Sequence, residues 1–457
     1  MAGNISLLLF SFLFICIVTF YLFKKWPDLD VIDLYIIFVG LHFGLSPFIR
    51  GLHFGKDVIF DFRNSNPLAI GLVFLQVLMI LFIIRFISLY LCPQLMNYLK
   101  IRHLISLWYQ TNKYVLFFIY FWLILFQFIS YYKYGIITYI SPDDYAEFGK
   151  HLPYWFTSMR TIYNIISFCV FMSLFAYIVK SNKYQQYLLI ILTIVFIPIS
   201  TIFGRRYFIE MIVASVIFWF VYKKENIFRL KYLTTGLILV CTFFVFSNLF
   251  QAYRSVFQSV GKIEINKLDN PFSAALNYNL TIKNFACRPG TWEFSFLVIN
   301  NQLNRTEMTT NGKLSLEGFK SSVPRLFWPK KQFAVVDDIL SELYNVNPKD
   351  IDIGKNLFGV GQVDFGYYSI IIVSLVILFI IYLLGILVKI TTPYPTFLWL
   401  ISGNIIFFLI NIEENGNELF IMLKNMIIIL ILLMIYLITR KIYSMVLDKI
   451  TAVRQAH

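Results

Sequence analysis

Two adjacent arginines stand in a four-residue connection, Gly204-Arg205-Arg206-Tyr207, between two apolar runs. A hairpin that tight sets both guanidinium groups beside the start of the following helix. Their forked donors match phosphate oxygens, and a helix N-terminus adds partial positive charge, so Arg205 and Arg206 read as an anion site. The plainer alternative is that Arg206 pairs with Glu210 and Arg205 reaches to lipid headgroups. Other cations sit among aromatic and turn-forming residues: Tyr253-Arg254, Cys287-Arg288-Pro289-Gly290-Thr291-Trp292-Glu293, and Val323-Pro324-Arg325-Leu326-Phe327-Trp328-Pro329-Lys330-Lys331. Aromatic rings stack on sugar faces while arginine grips phosphate, so Arg254, Arg288, Arg325, Trp328 and Lys331 suit a sugar-phosphate pocket. In the last stretch two prolines hold the backbone extended, and Arg325 and Trp328 project from it. An ordinary folded loop with solvated arginines is the competing reading.

Carboxylates that could take a proton are fewer. Asp364 follows Gly359-Val360-Gly361-Gln362-Val363, and it reads equally as a base, an arginine partner or the cap of the next helix. Glu293 and Glu413 are the other candidate bases, Glu413 lying with Glu414 and Glu418 between the last two apolar runs. Asp350-Ile351-Asp352 fits the short D-x-D pattern of metal-sugar sites, a pattern that also arises by chance. The five cysteines are scattered, without a C-x-x-C pair or a Cys/His cluster, so they make no disulfide framework and no metal motif.

The elements that must carry these residues are helices in a bilayer. The chain is 59% hydrophobic and 14% charged, with mean hydropathy +0.71, a composition outside the soluble class. Its net charge of +14 reads as cytoplasmic loops and headgroup contacts rather than nucleic-acid binding. Apolar runs of about 20 residues occur near 5–23, 31–49, 67–90, 114–134, 160–179, 187–203, 207–222, 232–250, 366–388, 396–412 and 420–439. The expectation is therefore an all-α polytopic membrane protein of about eleven transmembrane helices. The first run lacks a basic leader and a cleavage site and reads as a retained helix. Lys24-Lys25, Lys100, Arg102, Lys113, Lys180, Lys183, Lys223-Lys224, Arg229, Lys231, Lys389 and Arg440-Lys441 all fall on one side, which the positive-inside rule makes cytoplasmic. That puts the N-terminus outside and the C-terminus inside. Pro93–Gln110 suits an amphipathic helix along the inner interface, and Arg85, inside the third run, suits snorkelling toward it.

The organisation expected is helices one to eight over residues 1–250, a large outer loop over 251–365, and helices nine to eleven with a cytoplasmic tail over 366–457. The loop carries aromatic and apolar residues with a single cysteine, so packing must hold it.

This order of parts resembles the Wzy-type polymerases of bacterial O-antigen, the oligosaccharide repeat unit polymerases. The likeness rests on Arg205 or Arg206 in a tight outer hairpin, on Pro324, Arg325, Trp328, Pro329 and Lys331, and on Gly361, Phe365 and Gly366 before the next helix. It covers the topology of the whole chain but only short stretches of motif, and Lys331-Gln332 departs from the K-P continuation common in that family. The resemblance implies a C-type, all-helical glycosyltransferase of the bacterial inner membrane. It implies donor and acceptor oligosaccharides on undecaprenyl pyrophosphate, joined at the periplasmic face, with a chain-length regulator as a candidate partner. Arg205, Arg206, Arg254, Arg288 and Arg325 would then cradle the departing diphosphate, with no metal and no cofactor required. A carboxylate would take the acceptor proton. Two rivals share this topology. An O-antigen ligase relies on an outer-loop histidine, and the large loop has none. A flippase or exporter of the same lipids would be expected to hide charge within its helices and keep its loops short.

Overall fold

The computed structural model describes residues 2–52, 65–91, 93–110, 113–134, 154–180, 205–224, 291–304, 309–323, 356–412 and 415–455, together with Trp328, Ile339 and Leu343. Among these residues the chain is helical, without strands. In order the helices are α1 (Ala2–Lys25), α2 (Val31–Leu52), α3 (Pro67–Leu91), α4 (Pro93–Tyr98), α5 (Ile101–Tyr109), α6 (Lys113–Tyr134) and α7 (Tyr154–Lys180). They continue as α8 (Arg205–Lys223), α9 (Thr291–Asn304), α10 (Lys313–Ser322), α11 (Leu357–Phe365), α12 (Ser369–Thr391), α13 (Pro395–Ile410) and α14 (Asn415–Gln455).

Five helical runs are long and apolar enough to cross a bilayer: Gly3–Lys25, Val31–Leu52, Pro67–Tyr90, Leu357–Thr391 and Leu419–Met445. The protein is membrane-embedded. Shorter apolar helices, Lys113–Phe126, Ile166–Ile178, Val213–Lys223 and Pro395–Ile410, coincide with four more of the expected spans. The expected spans at 187–203 and 232–250 lie outside the described residues.

The first membrane helix is apolar on both faces. On α1, Leu7, Phe14 and Val18 are buried while Ile5, Leu9, Phe12 and Phe20 are exposed, an apolar surface suited only to lipid. Its inner face meets α2 closely because α2 offers Gly40 and Gly44, one residue type every fourth position. A methyl group at Gly44 would come within 2.9 Å of Ile15. Just after Gly40 α2 loosens into one turn of π-helix, Leu41–Leu45, which includes Gly44.

One end of the bundle is basic. There Asp30 caps α2, with reciprocal bonds between Asp30 and Asp33, and Leu29 and Val31 pair through the backbone with Ile101 and Leu99. Nearby, Lys180 lies over Tyr109 and Tyr222, and Arg102 donates to the Val221 carbonyl at 3.0 Å. Residues 93–110 form α4 and α5; α5 turns Ile101, Leu104, Ile105 and Trp108 onto the protein, and the Trp108 indole donates to Ser402 on α13 at 2.7 Å.

The long segment between α8 and α12 is not simply a loop. Two of its helices, α9 and α11, are buried in the same core as the membrane helices, with Trp292, Phe296, Leu357 and Phe358 among its members. Gly361 lies against Ser369 and Val373, so α11 doubles back along α12. The reversal falls at Gly366, where φ is +56°, a value that favours glycine. The entry to the expected ninth helix is therefore a helical hairpin.

Candidate functional site

Both buried helices of the long segment begin half-way through the bundle. The first residue of α9, Thr291, meets His42 through Oγ1 and Nδ1 at 3.1 Å. The ring of Phe358, second in α11, lies edge-on to Phe43 at 5.1 Å and stacks near Tyr35 at 6.5 Å. His42 and Phe43 belong to the π-turn at the middle of the 22-residue α2. Asn356 joins the two starting points: its Nδ2 donates to the Thr291 carbonyl at 2.6 Å, and its Oδ1 accepts from Gly359 N at 2.7 Å and from Ser295 Oγ at 3.2 Å. Gly359 is needed there because any β-carbon would collide with the Phe294 ring. Two helix N-termini, each with partial positive charge, thus converge inside the protein beside a histidine and two hydroxyl residues.

From this point a buried polar network runs toward the end opposite the basic one. Arg50, near the end of α2, forms an ion pair with Glu293, both side chains 2% exposed. Such a pair persists in an apolar interior only when both charges are matched. Beside it, Gln76 Nε2 donates to Gln362 Oε1 at 2.9 Å and to Ser369 Oγ at 2.8 Å, and Gln362 Nε2 donates to Gln302 Oε1 at 2.7 Å. This amide chain links α3, α9, α11 and α12. The Gln76 Oε1 acceptor, buried with the rest, has no hydrogen-bond partner among the described residues.

Asp364 ends this network. Its Oδ1 accepts from Leu314 N at 3.0 Å and from the Thr310 hydroxyl, and its Oδ2 accepts from Ser315 N at 2.9 Å and Ser315 Oγ at 2.5 Å. Asp364 has no exposed surface and holds the start of α10 to the end of α11. It does cap a helix, but that helix is α10, not the one that follows it in sequence.

The other expected residues fall as follows. Glu293 is in the network, paired with Arg50. Arg205 and Arg206 open α8, a helix of 19 residues whose other end, Lys223, lies beside Trp219 near the basic cluster. A 19-residue helix spans about 28 Å, so the two arginines start at the opposite end, the one toward which the network runs. Trp328 is 41% exposed. Arg254, Arg288, Arg325, Lys331 and Glu413 lie outside the described residues. Among the described residues no three His, Cys, Asp or Glu side chains are grouped as a metal ion would require.

Two readings of the sequence need correction. Arg85 does not snorkel: it donates to Asp30 at 2.7 Å and lies 3.7 Å from Asp33, whose carboxylate also takes the Tyr21 hydroxyl at 2.5 Å. Charge is therefore hidden within the helices at two places, contrary to the argument raised against an exporter. Sequence reasoning also missed Arg50, His42, Gln76, Asn356 and Gln362 as members of the network. A signal existed for Arg50 and Gln76, since polar residues near or inside apolar runs must find partners. For Asn356 and Gln362 none did.

Comparison of the chain with known protein families, with curated proteins and with solved structures gives no match.

Proposed function

We propose that the protein is a membrane glycosyltransferase that polymerises undecaprenyl-pyrophosphate-linked oligosaccharide repeat units at the periplasmic face of a bacterial inner membrane. The observation that carries this reading is the placement of the long segment. It folds into the bundle and joins a network of buried amides, hydroxyls and an arginine toward one end, and Arg205 and Arg206 open α8 toward that same end. Amide and hydroxyl groups suit sugar hydroxyls, and helix-borne guanidinium groups suit a departing lipid diphosphate. In this reading the growing chain's sugar–diphosphate bond breaks, a hydroxyl of a new repeat unit attacks the freed carbon, and a carboxylate takes the hydroxyl proton. The candidate carboxylates are Asp364, Glu293 and Glu413. Arg254, Arg288, Arg325, Trp328 and Lys331 complete the proposed substrate contacts.

The test is deletion of the gene in its host followed by a lipopolysaccharide gel. A polymerase predicts loss of the ladder with a single repeat unit retained. Complementation with Arg206→Ala or Arg325→Ala should restore expression without the ladder, because a transition-state contact is lost rather than a folding one. Wild-type ladders from both variants would remove these arginines from the chemistry.

One observation favours a second reading. Half-length helices with N-termini meeting at mid-bundle, and ion pairs buried within the helices, are features of proteins that carry anionic solutes across a bilayer. A flippase or exporter of lipid-linked oligosaccharide would use the same buried polar groups to receive its cargo. On the gel it predicts loss of even the single repeat unit.

A further inference from the structure

Helix α10 is held at two points to the places where membrane helices begin. Its first turn is tied to the α11–α12 hairpin through Asp364 and through Thr310 N, which donates to the Val363 carbonyl at 3.0 Å. The hairpin turn opens α12, whose 23 residues extend about 34 Å, close to the thickness of a hydrocarbon core, so the turn lies near one boundary of it. Further along α10, Phe319 meets Phe420 edge-on at 5.7 Å, and Phe420 opens the apolar run Leu419–Met445. Two anchors at the heads of two different spans make α10 lie across the bundle surface rather than stand away from it.

The helix is two-faced. Leu314 and Glu317 are turned onto the protein, whereas Leu316 is 52% and Phe319 49% exposed. Tyr367 and Tyr368, beside the Asp364 anchor, are exposed too, and below them Ile371, Leu375 and Phe379 form the outward stripe of α12. Exposed apolar side chains on α10 thus stand at the end of the bundle where the outward apolar stripe of α12 begins. Tyrosines at its upper edge match the aromatic belt found where helices leave a membrane. Lys313 opens α10, and Lys320 pairs with Glu317 at 2.6 Å, so the helix carries net positive charge.

We infer that α10 is an interfacial helix: Leu316 and Phe319 enter the headgroup–acyl boundary of the bilayer that holds the spans, and Lys313 meets lipid phosphate. The partner is an anionic phospholipid surface, since the face is apolar at its centre and basic at its start. This inference stands whether the network serves polymerisation or export.

The experiment places a photoreactive benzoylphenylalanine at Leu316, Phe319, Leu314 or Ile371 of the full chain in nanodiscs of phosphatidylglycerol or of phosphatidylcholine, and reads adducts by mass spectrometry. Leu316 and Phe319 should give phospholipid adducts at the level of Ile371, and Leu314 should give only protein crosslinks. Lys313→Glu should reduce the phosphatidylglycerol adduct at Leu316 about fivefold, with little change in phosphatidylcholine. Lipid adducts at Ile371 but none at Leu316 or Phe319, or crosslinks from these two to a second copy of the chain, would overturn the assignment. Equal yields from both lipids before and after the Lys313 change would overturn its charged part.

Discussion

The two ends of the bundle bury charge by different routes. At the basic end Arg85 meets Asp30 across 55 residues of sequence, and Asp30 already serves as the cap of α2. At the other end Arg50 meets Glu293 across 243 residues, and that link exists only because the long segment enters the bundle. The basic cluster is built on a local motif: a capping carboxylate is needed wherever α2 starts, and the guanidinium neutralises it. The Arg50–Glu293 pair has no local reason to exist. It ties an inserted segment to a helix that would be complete without it. The difference teaches that the first cluster belongs to the frame, whereas the second belongs to whatever the inserted segment does.

The sharpest way to break this comparison is at Arg50. Arg50→Ala removes the guanidinium from beside the buried Glu293 carboxylate and should cost about 3–5 kcal/mol. The double change Arg50→Met with Glu293→Leu should recover most of that loss in detergent unfolding. Equal destabilisation by the single and double variants would show that the pair is not what couples α9 to α2. Next is Arg85→Met, expected to cost about 2–4 kcal/mol because Asp30 and Asp33 keep their backbone and Tyr21 partners. Hydrogen exchange separates the two: the Arg50 change should expose α9 and α11 while leaving α1–α3 protected, and the Arg85 change should do the reverse. Identical exchange patterns would erase the distinction between frame and insertion.

A smaller, local effect is expected at Asp364. Asp364→Asn weakens its hold on two backbone amides and two hydroxyls and should cost about 1–3 kcal/mol. Exchange should quicken over Lys313–Ser322 and stay slow over Ser369–Thr391; unchanged protection of α10 would mean that Phe319 and Phe420 hold it alone. The smallest effect concerns pH at the basic end. Burial holds the His103 imidazole below its ordinary value. A folded-state value lower than the unfolded one, about 6.5, means that its contribution is complete above that pH and is lost as pH falls from there through the folded-state value. His103→Gln should flatten this acid-side loss of stability, and an unchanged slope would assign the loss to other groups.

Membrane helices were legible in the sequence because the bilayer imposes one strong rule: long apolar runs must fold as helices and face lipid. The runs of α1, α2, α3, α12 and α14 follow directly from it. Capping of α2 by Asp30 and the amphipathic face of α5 were local patterns, open to reading from residues a few positions apart. Asp364 shows where such reading stops. Its place before an apolar run suggested a cap or a base, but a fold-back at Gly366 turns it toward a helix some fifty residues earlier. Arg85 was visible as a charge in an apolar run, and only the packing of α3 against α1 and α2 showed that it has acidic partners. The meeting of Thr291, Asn356 and His42 at mid-bundle was decided by tertiary structure alone, because hydropathy reports which side chains shun water and not which distant segments share a core.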